Sequence, residues 1–282
     1  MVKRIVVVGS GQLGTALATI GGANVSLVDR AALDITDLAA IEPALSELAP
    51  DVVINASAYN RVDAAETDPD LAFAVNATGP AYLARAATAL EARFVHVSTD
   101  YVFGGTQQRP YCEDDPTEPL GVYAASKLAG EHLALAYAPT SLVVRTSGVF
   151  GRTRSGTGGN FVLSILRQAR AGKPLRVVAD KIAAPTYAVD LARAILSLVA
   201  VGASGRVHIT NSGCCTWYEF ACAILEEAGI DAAIEPVSYS GTADVARRPL
   251  YSVLDLSRLE SLGVTMPHWR DGLRRYLQEI EV

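Results

Sequence analysis

Arg4-Ile-Val-Val-Val-Gly9-Ser-Gly11-Gln-Leu-Gly14 is an apolar run that breaks at a glycine-spaced turn and opens a helical pattern. Glycines at this spacing allow a tight turn, a close backbone approach to a pyrophosphate and close packing of the following helix. The helix N-terminus offers N–H donors and a partial positive charge to phosphates. Gly9, Gly11, Gln12, Leu13 and Gly14 are therefore the first candidate cofactor surface. Asp29 follows Gly9 by 20 residues, at the end of the next apolar run, where a carboxylate can accept from ribose hydroxyls. Asp29 repels a 2′-phosphate, whereas the adjacent Arg30 can pair with one, so both NADH and NADPH remain open. Asp34-Ile35 is placed to flank the adenine. Asn55, Ala56 and Ala58 follow a third apolar run, where small residues let a dinucleotide lie across strand ends.

Outward from this turn, short apolar runs alternate with longer helical patterns. Arg4–Val8, Val25–Val28, Val52–Asn55, Arg93–Ser98 and Leu142–Thr146 read as strands. Gln12–Ile20, Leu38–Leu48, Leu71–Leu90 and Val122–Ala136 read as helices. Continuous apolar strands between helices predict a parallel sheet covered on both faces, a Rossmann-type doubly wound α/β fold. Residues 1–150 form the dinucleotide-binding unit, with 186–210 returning to it. Residues 151–185 and 211–282 form a smaller, mainly helical substrate lobe, entered through the glycine-, serine- and arginine-rich stretch 151–159.

A second pattern carries the chemistry. Tyr123 and Lys127 are one helical turn apart and share a face. An ammonium near a phenol favours the phenolate, which predicts a lowered tyrosine pKa and a proton donor for a carbonyl oxygen. Thr99 ends an apolar strand and offers a second hydroxyl to the same oxygen. With the cofactor turn, this predicts a carbonyl/alcohol oxidoreductase. His96 reads as a core histidine, and His132 and His208 have no partner pattern. Asp63 and Glu66 fit a solvated face as well as a site. Arg247-Arg248 offers two guanidiniums suited to a diphosphate.

The 282-residue chain is half hydrophobic and 19% charged, with net charge −6 and no basic stripe. That composition disfavours disorder and nucleic acid as a partner. Cys112, Cys214, Cys215 and Cys222 have no zinc-type spacing and read as reduced thiols of a cytoplasmic protein. Lys3-Arg4 and the apolar run after it imitate a leader peptide, but glycines interrupt the run. No apolar stretch reaches the roughly 20 residues that span a bilayer, so no membrane partner is expected.

The chain resembles the dTDP-4-dehydrorhamnose reductase family, a branch of the extended short-chain dehydrogenases. Gly11-Gln-Leu-Gly14, Leu33-Asp-Ile-Thr36, Pro50-Asp-Val-Val-Ile-Asn-Ala56, Ser98-Thr-Asp-Tyr-Val-Phe103, Tyr123 with Lys127-Leu-Ala-Gly-Glu131, Arg145-Thr-Ser147, Asn160-Phe-Val162, Pro185-Thr186 and Arg248-Pro249 carry the resemblance. It implies reduction of a 4-keto-6-deoxy sugar on dTDP, with Thr99, Tyr123 and Lys127 as the triad. It also implies substrate contacts at Thr99, Asp100, Val102, Phe103, Tyr123, Gly148, Asn160, Phe161, Lys181 and Arg248, and leaves a homodimer open. Departures cluster near the sugar: Gly148 stands where an aromatic is common, Lys181 where glutamine is usual, Ala183 for a common glycine and Gly104 for aspartate. Ala16 occupies a position that is acidic in magnesium-associated relatives, so no metal is expected. Alternatives are another nucleotide-linked deoxysugar of secondary metabolism, or a non-catalytic role like that of the regulatory subunit of methionine adenosyltransferase.

Overall fold

The computed structural model describes residues 3–153, 159–241 and 245–280. Its first half runs β1 (Ile5–Val8), α1 (Gln12–Gly21), β2 (Val25–Val28), α2 (Leu38–Leu48), β3 (Val52–Asn55), α3 (Val62–Ala65), α4 (Pro69–Phe73), α5 (Gly79–Ala89), β4 (Arg93–Thr99), α6 (Val122–Tyr137) and β5 (Leu142–Thr146). The second half adds β6 (Val149–Phe150), α7 (Phe161–Arg170), β7 (Leu175–Val178), β8 (Ile182–Ala183), β9 (Thr186–Tyr187), α8 (Ala188–Val201), β10 (Gly205–His208), β11 (Cys215–Thr216), α9 (Trp217–Glu227), β12 (Ile234–Val237), α10 (Ser257–Ser261) and α11 (Trp269–Glu279). Six strands pair in parallel in the order β10-β5-β4-β3-β1-β2. The expected Rossmann-type sheet is thus present. Its strand order reverses between β1 and β3, where open α/β sheets take their ligands.

Strand alternation divides the core between the two faces of the sheet. Ile5, Val7, Val52 and Ile54 pack with Leu13 and Leu17 of α1 and with Leu191, Ile195 and Leu198 of α8. Val6, Val8 and Val53 point to the opposite face, against Ile41 and Leu45 of α2 and Leu83 and Ala87 of α5. Neighbouring residues of one strand face opposite ways, so an unbroken apolar run is what a doubly covered strand requires. A second core joins α7, β7, α9 and α11, with Phe150, Tyr187, Phe220, Trp269 and Tyr276 at its centre.

The single helix expected over 71–90 is divided. Asp68 caps α4, residues Ala74–Thr78 widen into a π-helical turn, and α5 begins at Gly79. The wide turn buries Asn76, whose amide is used at the site described below. The pairs β6–β9, β8–β11 and β7–β12 were not expected. β6, β8, β9 and β11 have two residues each and leave no periodicity to read; β7 and β12 have four, and a strand near Leu175–Val178 is legible, but not its partner. Residues 154–158 of the expected 151–159 loop lie outside the described residues.

Candidate active site

A cavity of about 570 Å³ opens at the carboxyl ends of β1, β3, β4 and β5. Gly9 lines it with φ +110°, and a Cβ there would come within 2.6 Å of the Ser57 nitrogen. No L side chain suits that conformation or that space. Gly14 serves the helix instead, since a Cβ would overlap the Gly9 carbonyl. Gly11 is the side-chain-free N-cap of α1, and Gln12 and Leu13 reach the cavity from its first turn. A glycine cradle under a helix N-terminus fits a pyrophosphate.

Arg30, Asp34 and Ile35 continue this wall, together with Ala56 and Ala58. Asp29 is exposed and is not part of the wall; its carboxylate accepts from the Ala32 amide at 3.0 Å. Arg30 lies 3.3 Å from Asp34. Hydrogen bonds from the Thr36 amide and hydroxyl, followed by the Arg30 charge, hold the Asp34 carboxyl below its ordinary value. If this exposed guanidinium meets a 2′-phosphate, its removal should bear on NADPH alone. Arg30→Ala is expected to raise the KM for NADPH about tenfold and to spare NADH, read from parallel titrations with the two cofactors. Equal changes for both would mean that Arg30 does not meet that phosphate.

At the other end, β4 delivers Ser98 and Thr99, and α6 delivers Tyr123 and Lys127. The start of α6 is held by Glu66, whose Oε1 accepts from the Val122 amide at 2.8 Å. A carboxylate there also opposes the helix dipole. Asn76 anchors the next turn. Its amide donates to the Ser126 hydroxyl and the Tyr59 carbonyl, both at 3.0 Å, and its Oδ1 accepts from the Tyr59 amide at 2.8 Å. A Cβ at Gly130 would overlap the Asn76 carbonyl, so α6 approaches the π-helical turn closely. These contacts fix where Tyr123 and Lys127 emerge.

The electrostatics differ from the sequence expectation. Burial pushes the Tyr123 phenol up to about 12; a Thr99 hydrogen bond opposes the rise and the Asp100 charge adds to it. Lys127 is not among the groups that shift the phenol; its Nζ donates to the Val97 carbonyl at 2.6 Å. Burial brings Lys127 down to about 8, against the opposing charge of Glu131. Asp100 is buried, and burial raises its carboxyl; hydrogen bonds with Ser252, Ser147 and Thr99 act the other way. A phenol raised this far is protonated at neutral pH, the form from which a proton can be given.

The Lys127 value has a kinetic consequence. The ammonium is complete below about pH 8 and lost above it, so kcat/KM is expected to fall through an alkaline limb near that pH. A profile flat to pH 10 would show that the charge is not required.

A family model described as the RmlD substrate binding domain matches residues 3–282. The chain belongs to this family. Its members include the dTDP-4-dehydrorhamnose reductase of Mycobacterium tuberculosis, 44% identical over 96% of this chain and 91% of that protein. The spore coat polysaccharide biosynthesis protein SpsK of Bacillus subtilis is 40% identical, covering 99% of this chain and 98% of the relative. The dTDP-4-dehydrorhamnose reductase of Bacillus anthracis, solved in complex with NADP, superposes with a TM-score of 0.94 at 35% identity over 99% of this chain and 100% of that one.

Within this RmlD-family fold, Thr99, Asp100, Tyr123, Lys127 and Gly148 meet at one cavity. Other candidates hold the structure around it. Asn55 is buried, bonded to His96 at 3.2 Å and accepting from the Ser57 amide at 3.1 Å, so it caps β3. Val102 and Phe103 form a small core with Tyr111 and Leu254, and Arg145 lies over the Phe103 ring at 5.1 Å. Asn160 caps α7 and donates to Gln12, Gly151 and Tyr276, joining the lobe to the cofactor turn. Phe161 packs against Trp217 with ring centroids 4.8 Å apart. Lys181 is buried, with its ammonium 4.6 Å from the Tyr239 ring centre. Arg248 does not line the cavity; it forms a two-pronged pair with Asp63 at 2.6 and 3.0 Å. Asp63 also accepts from the Val245 and Ala246 amides, so it ties α3 to the segment 245–248.

The sequence reading passed over Tyr59, Tyr101 and Trp217, all of which line the cavity; Ser147, also in the lining, lies in the 145–148 segment that the family resemblance points to. Tyr101 adjoins residues that were selected, and adjacency was the available signal. Trp217 had none, because it reaches the site through the β8–β11 pairing.

Proposed function

We propose that this protein reduces the 4-keto group of a dTDP-linked 4-keto-6-deoxy sugar with NADPH or NADH. dTDP-4-dehydrorhamnose is the leading substrate and dTDP-L-rhamnose its product. One observation carries the reading: Thr99, Tyr123 and Lys127 share a cavity wall with the glycine turn at Gly9–Gly14. A nicotinamide dinucleotide bound there supplies the hydride that enters at C4 of the sugar. Tyr123 gives its proton to the carbonyl oxygen, and Thr99 donates to the same oxygen as charge builds. Lys127, one turn away, is the nearest cation of α6 to offset the phenolate left behind. The names of the relatives support the choice of sugar.

The test is incubation of purified protein with dTDP-4-keto-6-deoxyglucose, the matching epimerase and NADPH. Oxidation of cofactor with formation of dTDP-L-rhamnose is the expected result. Turnover of a different keto sugar with no rhamnose would remove the assignment.

A second reading keeps the chemistry and changes the sugar. It is favoured by Gly148, which contributes no side chain of its own to the cavity, and by the likeness to SpsK. We also place the protein in the cytoplasm, where dTDP-sugars and reduced nicotinamides are made. No described helix is long and apolar enough to cross a membrane. A homodimer is the proposed assembly, and a single-chain mass in sedimentation would reject it.

A further inference from the structure

We infer that the Trp217 indole forms the sugar-facing wall of the cavity, in space that Gly148 leaves open, and that this pair of positions selects the sugar. The inference rests on the reading above and names a specificity determinant within it. Among the described residues, Trp217 is the cavity-lining residue contributed from beyond Val149. Its backbone is fixed from two sides. Thr216 and Glu219 close a capping box at the start of α9, and the Trp217 amide donates to the Lys181 carbonyl at 3.3 Å. Its ring is fixed as well. Phe161 meets it nearly edge-on at 4.8 Å, and Phe220 lies at 6.2 Å. An indole held this way loses little rotamer entropy when a ligand arrives.

Gly148 explains why the indole reaches the cavity. Its φ is +53°, a conformation in which side chains are strained. A Cβ there would stand 3.3 Å from the Pro185 Cα and 3.5 Å from the outer edge of the Trp217 ring. A side chain at 148 would therefore start in van der Waals contact with the indole edge. With glycine at 148, the wall is aromatic carbon supplied by α9.

That wall sorts ligands by chemistry. A 6-deoxy pyranose has a methyl group and C–H bonds to lay on an aromatic surface, and burying them there is favourable. A sugar with a 6-hydroxyl would lose water at that place without gaining a partner from ring carbon. The proton-donating residues remain those of β4 and α6. Trp217 therefore acts on which sugar sits before them.

The test compares wild type, Trp217→Ala and Trp217→Phe by calorimetric binding of dTDP, NADPH and a panel of dTDP-linked hexoses that includes dTDP-L-rhamnose and dTDP-glucose. For the 6-deoxy sugar that wild type binds best, Trp217→Ala is expected to weaken binding about tenfold to thirtyfold. Binding of dTDP and NADPH should stay within about twofold, and Trp217→Phe should recover most of the loss. Trp217→Ala should also narrow the preference for the 6-deoxy sugar over dTDP-glucose. If Trp217→Ala does not fold, a sugar-induced change in tryptophan fluorescence that is absent from wild type, or that is the same in wild type and Trp217→Phe, overturns the inference. Equal losses for dTDP and for the sugar would mean that the indole holds the nucleotide, and a loss confined to NADPH that it holds the cofactor; either outcome overturns it. Wild type that binds no dTDP-sugar at all overturns the substrate reading and this inference with it, whereas normal wild-type binding with an unaffected Trp217→Ala overturns this inference alone.

Discussion

Tyr123→Phe is expected to lower kcat by about 10²–10⁴-fold, the usual contribution of a positioned acid, while NADPH affinity stays within about twofold. The substitution removes one hydroxyl and keeps the ring, so the edge-on packing against Tyr101, at 6.1 Å between centroids, persists. The direction of reaction matters here. The phenol sits near pKa 12, mainly because it is buried, so at neutral pH it is almost wholly in the donating form. Reduction needs that form, and oxidation of the product would need the phenolate. The defect should accordingly appear in keto-sugar reduction at every pH from 6 to 9. The alkaline limb assigned to Lys127 should persist in whatever activity remains. A loss below tenfold would show that another group, or water, delivers the proton. Thr99→Ala should have a smaller effect, since Thr99 also accepts from the Tyr101 amide at 3.2 Å and part of its role is to hold the turn after β4.

Local patterns were legible in the sequence, and contacts between distant segments were not. The turn at Gly9–Gly14 and the Tyr123–Lys127 spacing are fixed by backbone geometry over a few residues, and both stand where the pattern places them. The buried strands were equally plain, because a strand covered on both faces must be apolar at every position. Arg248 shows the limit. Its loop position suggested an anion, but Asp63, far away in the chain, occupies its guanidinium. Asp63 and Glu66 fitted a solvated face as well as a site, and each answers to a partner that sequence spacing cannot reveal. Phe103 lies in a motif beside the site, yet its ring turns into a core with Tyr111. The orientation of Lys127 was also hidden, because the Val97 carbonyl that receives it belongs to another element.

Arg145→Met should cost about 3–5 kcal/mol of stability, the usual penalty for removing one partner of a buried ion pair, reduced to the extent that Arg206 still compensates Glu131. Glu131 and Arg145 are both nearly inaccessible. Glu131 accepts from Arg145 Nε at 2.9 Å, from Nη2 at 2.8 Å and from the Ser98 hydroxyl at 2.6 Å, with Arg206 at 3.3 Å. Burial alone would raise this carboxyl; the Arg145 hydrogen bonds and charge, with Ser98 and Arg206, hold it below its ordinary value. A depressed carboxyl contributes stability that is complete above its unfolded pKa and lost as pH falls through the folded one. Acid unfolding of the wild type should therefore steepen at low pH, and Arg145→Met should flatten that dependence. Replacing both residues by apolar ones of similar volume should recover much of the loss, because the unpaired charge, not the missing attraction, dominates the penalty. The pair also reaches the chemistry. Glu131 is the charge that raises Lys127 against its burial. Glu131→Gln should thus move the alkaline limb of kcat/KM to lower pH, and Glu131→Asp should partly restore it. A limb that stays in place in a folded Glu131→Gln protein would mean that the buried carboxylate only supports the fold and does not hold the ammonium at the active site.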